Sequence, residues 1–224
     1  ETGFMKSLPF NLTGAQERVA REIREDLKHG KPMLRLVHGD VGSGKTVIAA
    51  LAALRAVDTG FQTAITAPTE LLAEQHFRVF STWLEPLGIK PVWLSGKVTG
   101  KSRSEALRRI STGAELVIGT HALMQKGVEF SRLGLVIVDE QHRFGVGQRM
   151  NLLEKGGKHD QQAHQLIMTA TPIPRTLAMT AYAGMDVSVF DELPPGRKPV
   201  TTVVMSQGRR GGLVQRLAKA GAGT

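Results

Sequence analysis

"MLRLVHGDVGSGKTVIAALAALRAV", residues 33–57, decides the fold. Its opening, "MLRLVHG", is apolar on both sides of Arg35 and predicts a buried strand. "GDVGSGKT" (39–46) matches G-x-x-x-x-G-K-[ST], and Thr46 to Val57 is Ala/Leu-rich helix material. Strand, glycine turn and helix in that order make a phosphate cradle. Glycines let the backbone turn several N–H groups toward one phosphate, and the helix N-terminus adds partial positive charge. On this reading Gly39, Asp40, Val41, Gly42, Ser43 and Gly44 wrap the phosphates of a nucleoside triphosphate. Lys45 reaches the β- and γ-phosphates, and the Thr46 hydroxyl ligates Mg²⁺. The plainer alternative is a glycine turn that only caps a helix. The full match, set between strand and helix, speaks against it.

Outward from this loop the pattern repeats. "QTAITA" (62–67), "PVWLS" (91–95), "AELVIGT" (114–120), "LGLVIVD" (133–139) and "HQLIMTA" (164–170) read as strands, several of them apolar throughout, as in strands buried on both faces. Between them, Ala15, Val19, Ile23 and Leu27 make one apolar helical stripe, and Leu72, Val79, Phe80 and Trp83 make another. Strand–helix alternation implies right-handed crossovers and an α/β fold with a doubly wound parallel sheet. Ligands in such folds sit beyond the carboxyl ends of the strands. "DELPPGRKP" (191–199) is a Pro/Gly-rich hinge, so residues 1–195 are expected to form the nucleotide-binding domain. Residues 196–224 carry one strand and a short helix, too little to bury a core, and read as the opening stub of a second domain.

Composition limits the chemistry. Cysteine is absent, which removes disulfides, Cys-bound zinc and thiol catalysis, and fits a reducing cytoplasm. The histidines show no metal-ligand spacing; His159 and His164 flank a polar stretch that reads as a solvated loop. No long uncharged apolar run is present and no basic, apolar leader opens the chain, so no membrane partner is expected. A net charge of +9 favours a polyanionic partner such as nucleic acid. The alternative is a fragment whose acidic remainder lies elsewhere.

"IVDEQHRFGVGQR" (137–149) places two carboxylates side by side at a strand end. Asp139 stands where a Mg²⁺-holding acid belongs, and one carboxylate plus phosphate oxygens suffices for that ion. Glu140 is then free to polarise the attacking water, the division of labour of a hydrolase. In "LTGAQ" (12–16), Thr13 and Gln16 form a capping box; the other reading has Gln16 bonding an adenine edge, and both hold only if Gln16 divides its time. Spacing alone favours the cap. Thr69, Gly96 with Lys97, and Thr120 with His121 stand at three further strand ends. Each alone is more often a cap or loop; together they would line one edge with donors for nucleic-acid phosphates. "TATPIPRT" (169–176) is either a stiff strand-to-helix turn or a link that senses the γ-phosphate.

Together, "GDVGSGKT", "APTELLAEQH", "IGTHAL", "DEQHRFGVGQR" and "MTATPIPRTLAMTAYAGMDVSVFDELPPGR" resemble superfamily 2 helicases, and most closely the RecG family of ATP-dependent DNA helicases that remodel branched DNA. Transcription–repair coupling factors share much of this set but differ from it around Gln141 and at 147–149. The resemblance runs from about Leu8 to Thr202 and covers the first of two RecA-like motor domains. It implies ATP and Mg²⁺ as ligands and DNA as partner. By position it gives adenine recognition to Gln16, phosphate and Mg²⁺ to Lys45 and Thr46, Mg²⁺ to Asp139 and water activation to Glu140. It implies coupling roles for His142, Arg143, Thr169 and Thr171, and DNA-facing roles for Thr69, Gly96, Lys97, Thr120 and His121. The family's wedge domain and its second motor domain, which supplies an arginine finger, are not in this chain. The chain alone is therefore expected to bind ATP weakly, hydrolyse it very slowly and unwind nothing. A non-motor P-loop module or kinase is the rival class.

Overall fold

The computed structural model describes residues 2–140, 162–171 and 184–192, with Gly208 and Gly212 beyond them. The chain divides into two compact units, Glu1–Pro194 and Pro195–Thr224, and the first holds every element described. His142, Arg143, most of the Pro/Gly hinge, and the strand and helix expected after it lie outside the described residues.

Seven parallel strands form one sheet: β1 (Leu34–His38), β2 (Gln62–Thr66), β3 (Val92–Leu94), β4 (Leu116–Gly119), β5 (Leu133–Asp139), β6 (His164–Thr169) and β7 (Asp186–Val189), in spatial order β3-β4-β2-β5-β6-β1-β7. The helices are α1 (Thr2–Ser7), α2 (Gly14–Asp26), α3 (Lys45–Asp58), α4 (Glu70–Leu84) and α5 (Gly100–Ser111), with 3₁₀ turns at Glu85–Leu87 and His121–Met124. All six expected strands are present. β7 went unread because its residues alternate poorly: Asp186 is exposed, and buried Ser188 is polar. Ser188 is buried to answer Arg35 on β1, whose Nη1 donates to Ser188 Oγ (2.9 Å) while its Nε donates to Asp26 (2.5 Å). That buried guanidinium is satisfied by side chains from neighbouring elements, as a buried charge must be.

The sheet separates two apolar layers. One, around α3, joins Ala49, Ala50, Ala53 and Leu54 to Ile65, Ile118, Leu135, Ile137 and Met168; the other joins α5 to Ala64, Val117, Val136 and Val138. Alternate residues of β2 and β5 therefore face opposite layers, the period of two expected of strands covered on both sides. α3 is buried nearly all round, which explains its Ala-rich composition: small side chains let the helix lie close on the sheet. On α4 the buried stripe is Ala73, His76, Phe80 and Leu84. This corrects the stripe expected from sequence, since Leu72, Val79 and Trp83 are only partly buried. Gly119 lets β3 and β4 approach closely; a Cβ there would lie 1.8 Å from the Leu94 carbonyl oxygen, a backbone atom that cannot step aside.

Candidate functional site

The glycine loop leaves β1 at Gly39 and enters α3 at Lys45. Gly44 takes a left-handed conformation (φ 87°), and a Cβ on it would meet the Gln16 amide nitrogen at 2.2 Å. The backbone conformation favours glycine there, and a side chain would also push the Gln16 amide off its bond to the loop. The first turn of α3 leaves its N–H groups directed at the loop, since helices cannot satisfy them internally. Lys45 folds back over the loop, its Nζ donating to the Gly39 (2.5 Å) and Asp40 (2.9 Å) carbonyl oxygens. Burial lowers its pKa, and the carboxylates of Asp139, Glu140 and Asp40 pull it back up. The Ser43 hydroxyl is buried without a hydrogen-bond partner among the described residues. An ammonium parked on carbonyls, and a buried hydroxyl with nothing to bond, are what a phosphate would rearrange and satisfy.

Three neighbouring strands complete the site. β6 lies between β1 and β5, with Thr169 opposite His38 and Met168 opposite Asp139. Glu140 follows Asp139 with φ 50°, a left-handed conformation rare for a residue with a side chain. Its geometry is fixed at several points. The Glu140 N–H donates to Met168 O (2.9 Å), Oε1 accepts the Ala170 N–H (3.1 Å) and Oε2 accepts the Thr169 hydroxyl (3.4 Å). Thr169 O in turn accepts the Gly39 N–H (3.2 Å), and Thr169 Oγ1 accepts the Thr171 N–H (3.1 Å). The "TAT" segment therefore touches both the Glu140 carboxylate and the first residue of the phosphate loop. Local strain held by this many bonds marks a working position more than a loose turn.

Gln16 forms the cap that the spacing favoured and keeps capacity to spare. Its Oε1 accepts the Thr13 N–H (2.9 Å) and the Thr13 hydroxyl accepts the Gln16 N–H (3.3 Å), so the capping box is formed. Its Nε2 donates to Ser43 O (2.8 Å), tying α2 to the phosphate loop. A carboxamide has two acceptor lone pairs and two N–H donors, so these bonds do not exhaust what it could offer a base edge.

The other half of the carboxyl edge, after β2, β3 and β4, gathers the remaining residues around Glu70, which sequence reasoning missed. Thr69 caps α4 by accepting the Leu72 N–H (3.3 Å). Glu70 accepts from the Ser95 hydroxyl (2.7 Å) and pairs with Lys97 (2.5 Å). Lys97 first, then Ser95 and, more weakly, the His121 imidazole hold the Glu70 carboxyl below its usual range. Gly96, Lys97 and His121 are exposed. Thr120 is not: it is buried, and its hydroxyl accepts the Ala122 N–H at the head of a 3₁₀ turn, so it shapes the turn that presents His121.

A second residue missed from sequence is His76. Its Nε2 lies 2.7 Å from Asp139 Oδ2, and both side chains are buried. Nothing in the spacing announces it, because His76 occupies a core position of α4, 63 residues from its partner. Among the described residues no three acidic or imidazole side chains gather as a metal cage. A Mg²⁺ shared between one carboxylate, a hydroxyl and phosphate oxygens needs none. Among the same residues no helix is long and apolar enough to cross a membrane.

Comparison with known proteins accords with this geometry. The chain is 61% identical over 218 residues to the ATP-dependent DNA helicase RecG of Haemophilus influenzae, covering 97% of this chain and 32% of that protein. It is 58% identical to the Escherichia coli K12 protein of the same name, covering 95% of this chain and 31% of that one. It thus spans about a third of the length of the curated relatives it matches. Among solved structures, RecG bound to a three-way DNA junction superposes with a TM-score of 0.82 at 43% identity, covering 96% of this chain and 28% of that chain. The yeast DEAD-box splicing factor Prp28, at 18% identity over 84% of this chain and 47% of that chain, shares the fold with a TM-score of 0.65. Residues 13–180, from the α2 cap to beyond the "TAT" segment, match the DEAD/DEAH box helicases, and the chain belongs to that family.

Proposed function

We propose that this chain is the ATP-binding motor half of a DNA helicase of the RecG kind, acting on branched DNA in the bacterial cytoplasm. One observation carries the reading. Lys45, Thr169 and the Asp139–Glu140 pair, far apart in sequence, gather at the ends of three adjacent strands, and hydrogen bonds run from Gly39 through Thr169 to Glu140. Branched DNA is the partner because a relative at 43% identity was solved on a three-way junction, and because the net charge of +9 suits a phosphate backbone.

Each residue of the site has its own task. Glycine-loop amides and Lys45 cradle the phosphates, and Gln16 holds the base while keeping α2 on the loop. Asp139 and Thr46 would hold a Mg²⁺ ion: Asp139 is buried at a strand end, Thr46 stands in the first turn of α3 directly after the loop, and a carboxylate, a hydroxyl and phosphate oxygens are the hard oxygen donors that ion takes. When bound, that ion would neutralise charge on the phosphate oxygens. Glu140, aimed by Ala170 N–H and the Thr169 hydroxyl, orients the attacking water and takes its proton. Thr169 and Thr171 carry the state of that carboxylate into the segment after β6. His142 and Arg143, close behind Glu140 in sequence, act in the same coupling. Thr69, Gly96, Lys97 and His121 face DNA, with Thr120 supporting from beneath. The second motor domain, beginning near residue 196, would supply the arginine finger, so the chain alone hydrolyses ATP slowly. Such a finger is worth about 10³–10⁵ in rate.

ATP turnover by the complete protein, with and without a synthetic three-way junction, tests the proposal. Hydrolysis is expected to rise at least about tenfold with the junction, and the effect to fade with added salt as phosphate contacts are screened. Turnover indifferent to DNA would instead favour a P-loop enzyme with a small acceptor.

A further inference from the structure

His76 takes no part in phosphate binding, water activation or DNA contact, yet it is bonded to the site. Its Nε2–H donates to Asp139 Oδ2 (2.7 Å), while Asp139 Oδ1 accepts the Glu140 N–H (3.1 Å). The imidazole is itself held edge-on against Phe80, centroids 6.3 Å apart. Both carboxylate oxygens are thus held by the protein, which fixes the orientation of the side chain before any cation arrives. His76 also stands on an informative helix. α4 starts at the Thr69 cap, and its first residue, Glu70, holds Ser95 and Lys97 from the loop after β3. Thr69 and His76 are about 10 Å apart along the helix at 1.5 Å per residue. One rigid element therefore touches the proposed DNA edge at its start and the β5 carboxylate two turns later.

We propose that His76 is a positioning residue for Asp139, and that α4 is the strut by which engagement at the Glu70–Lys97 edge sets the orientation of that carboxylate. A phosphate drawn to Lys97 competes with Glu70 for the ammonium, and Glu70 opens α4. A change in how the helix start is held is delivered to His76 without passing through the loops. A merely structural role for His76, satisfying a buried acid, predicts lost stability and no change in cation affinity or its response to DNA. The proposal rests on Asp139 being the cation-holding residue.

Mn²⁺ binding to the complete protein, followed by electron paramagnetic resonance with a non-hydrolysable ATP analogue, tests it without turnover. Asp139→Asn is the control for the underlying reading and is expected to weaken Mn²⁺ binding at least about tenfold. His76→Phe keeps the ring against Phe80 and removes the donor; it is expected to weaken Mn²⁺ binding about 10-fold, the scale of lost outer-shell partners. His76→Gln, which restores a donor, is expected to recover part of the loss. A three-way junction should tighten Mn²⁺ binding in the parent and not in His76→Phe. Parental affinity in His76→Phe beside a weakened Asp139→Asn overturns the positioning role and spares the site reading. Parental affinity in Asp139→Asn overturns the site reading itself. Should His76→Phe fail to fold, His76→Gln and the parent decide: a parent whose Mn²⁺ affinity ignores DNA ends the strut.

Discussion

Glu140→Gln in the complete protein is expected to bind ATP as the parent does while hydrolysing it about 10²–10⁴-fold more slowly, the range that general bases contribute. The structure says why binding should survive. The Glu140 side chain bonds to Ala170 N–H and the Thr169 hydroxyl, on the β6 side of the site, whereas the glycine loop is held by Lys45 and Gln16. Glutamine keeps one carbonyl oxygen for the Ala170 N–H, so the backbone of the "TAT" segment stays anchored. It cannot take a proton from water. Its amide nitrogen also cannot accept the Thr169 hydroxyl as the second carboxylate oxygen does, so some loss of coupling to DNA is expected beside the loss of chemistry. The left-handed backbone at 140 is set by its bonds to Met168 and Asp139 and is common to both residues. Equilibrium binding of a fluorescent ATP analogue and single-turnover hydrolysis check the two halves separately. Parental hydrolysis by Glu140→Gln would remove the water-activating role.

Lys45→Ala is expected to act earlier, weakening ATP binding on the order of 10²-fold or more, because a buried charge-assisted contact to phosphate is lost and nothing nearby replaces it. The Lys45 ammonium satisfies the Gly39 and Asp40 carbonyls, and on the proposed reading a bound nucleotide would draw it to the phosphates. Burial lowers its pKa, and the three neighbouring carboxylates oppose that shift; an arriving triphosphate adds negative charge and favours the ammonium further. Loss of the side chain exposes two carbonyls that water can reach, so a thermal melt is expected to move by only a few degrees. The contrast is diagnostic: Lys45→Ala spares the fold and loses the ligand, while Glu140→Gln spares the ligand and loses the reaction.

Much of this site could be read along the chain, and what could not has a common cause. A phosphate loop is contiguous: strand, turn and helix must succeed one another, so "GDVGSGKT" between "MLRLVH" and an Ala-rich helix left few alternatives. Asp139 and Glu140 were visible because a charged pair ending an apolar run is costly without a task. The residues that escaped are defined only by closure of the sheet. His76 looks like one more member of a helix stripe until β2 and β5 pair and bring α4 against Asp139. Glu70 reads as an acidic first-turn residue, helpful to any helix, until β3 returns beside β4 with Ser95 and Lys97. Arg35 breaks a strand pattern that makes sense once α2 supplies Asp26 and β7 supplies Ser188. Gln16 shows a different case: the cap that spacing favoured is formed, and the other end of the same amide ties α2 to the phosphate loop, which spacing could not show.

A triphosphate lying in the loop of residues 39–46, with a metal ion between it and Asp139, is the central claim. A crystal structure of the complete protein with a non-hydrolysable ATP analogue and Mg²⁺ tests this most directly. The expected result is Lys45 Nζ moved from the Gly39 and Asp40 carbonyls to the β- and γ-phosphates, the Ser43 hydroxyl newly bonded, and one ion bridging phosphate oxygens, Thr46 and the Asp139 side. Nucleotide bound elsewhere, or Lys45 still on its own loop with the analogue present at saturation, would contradict it.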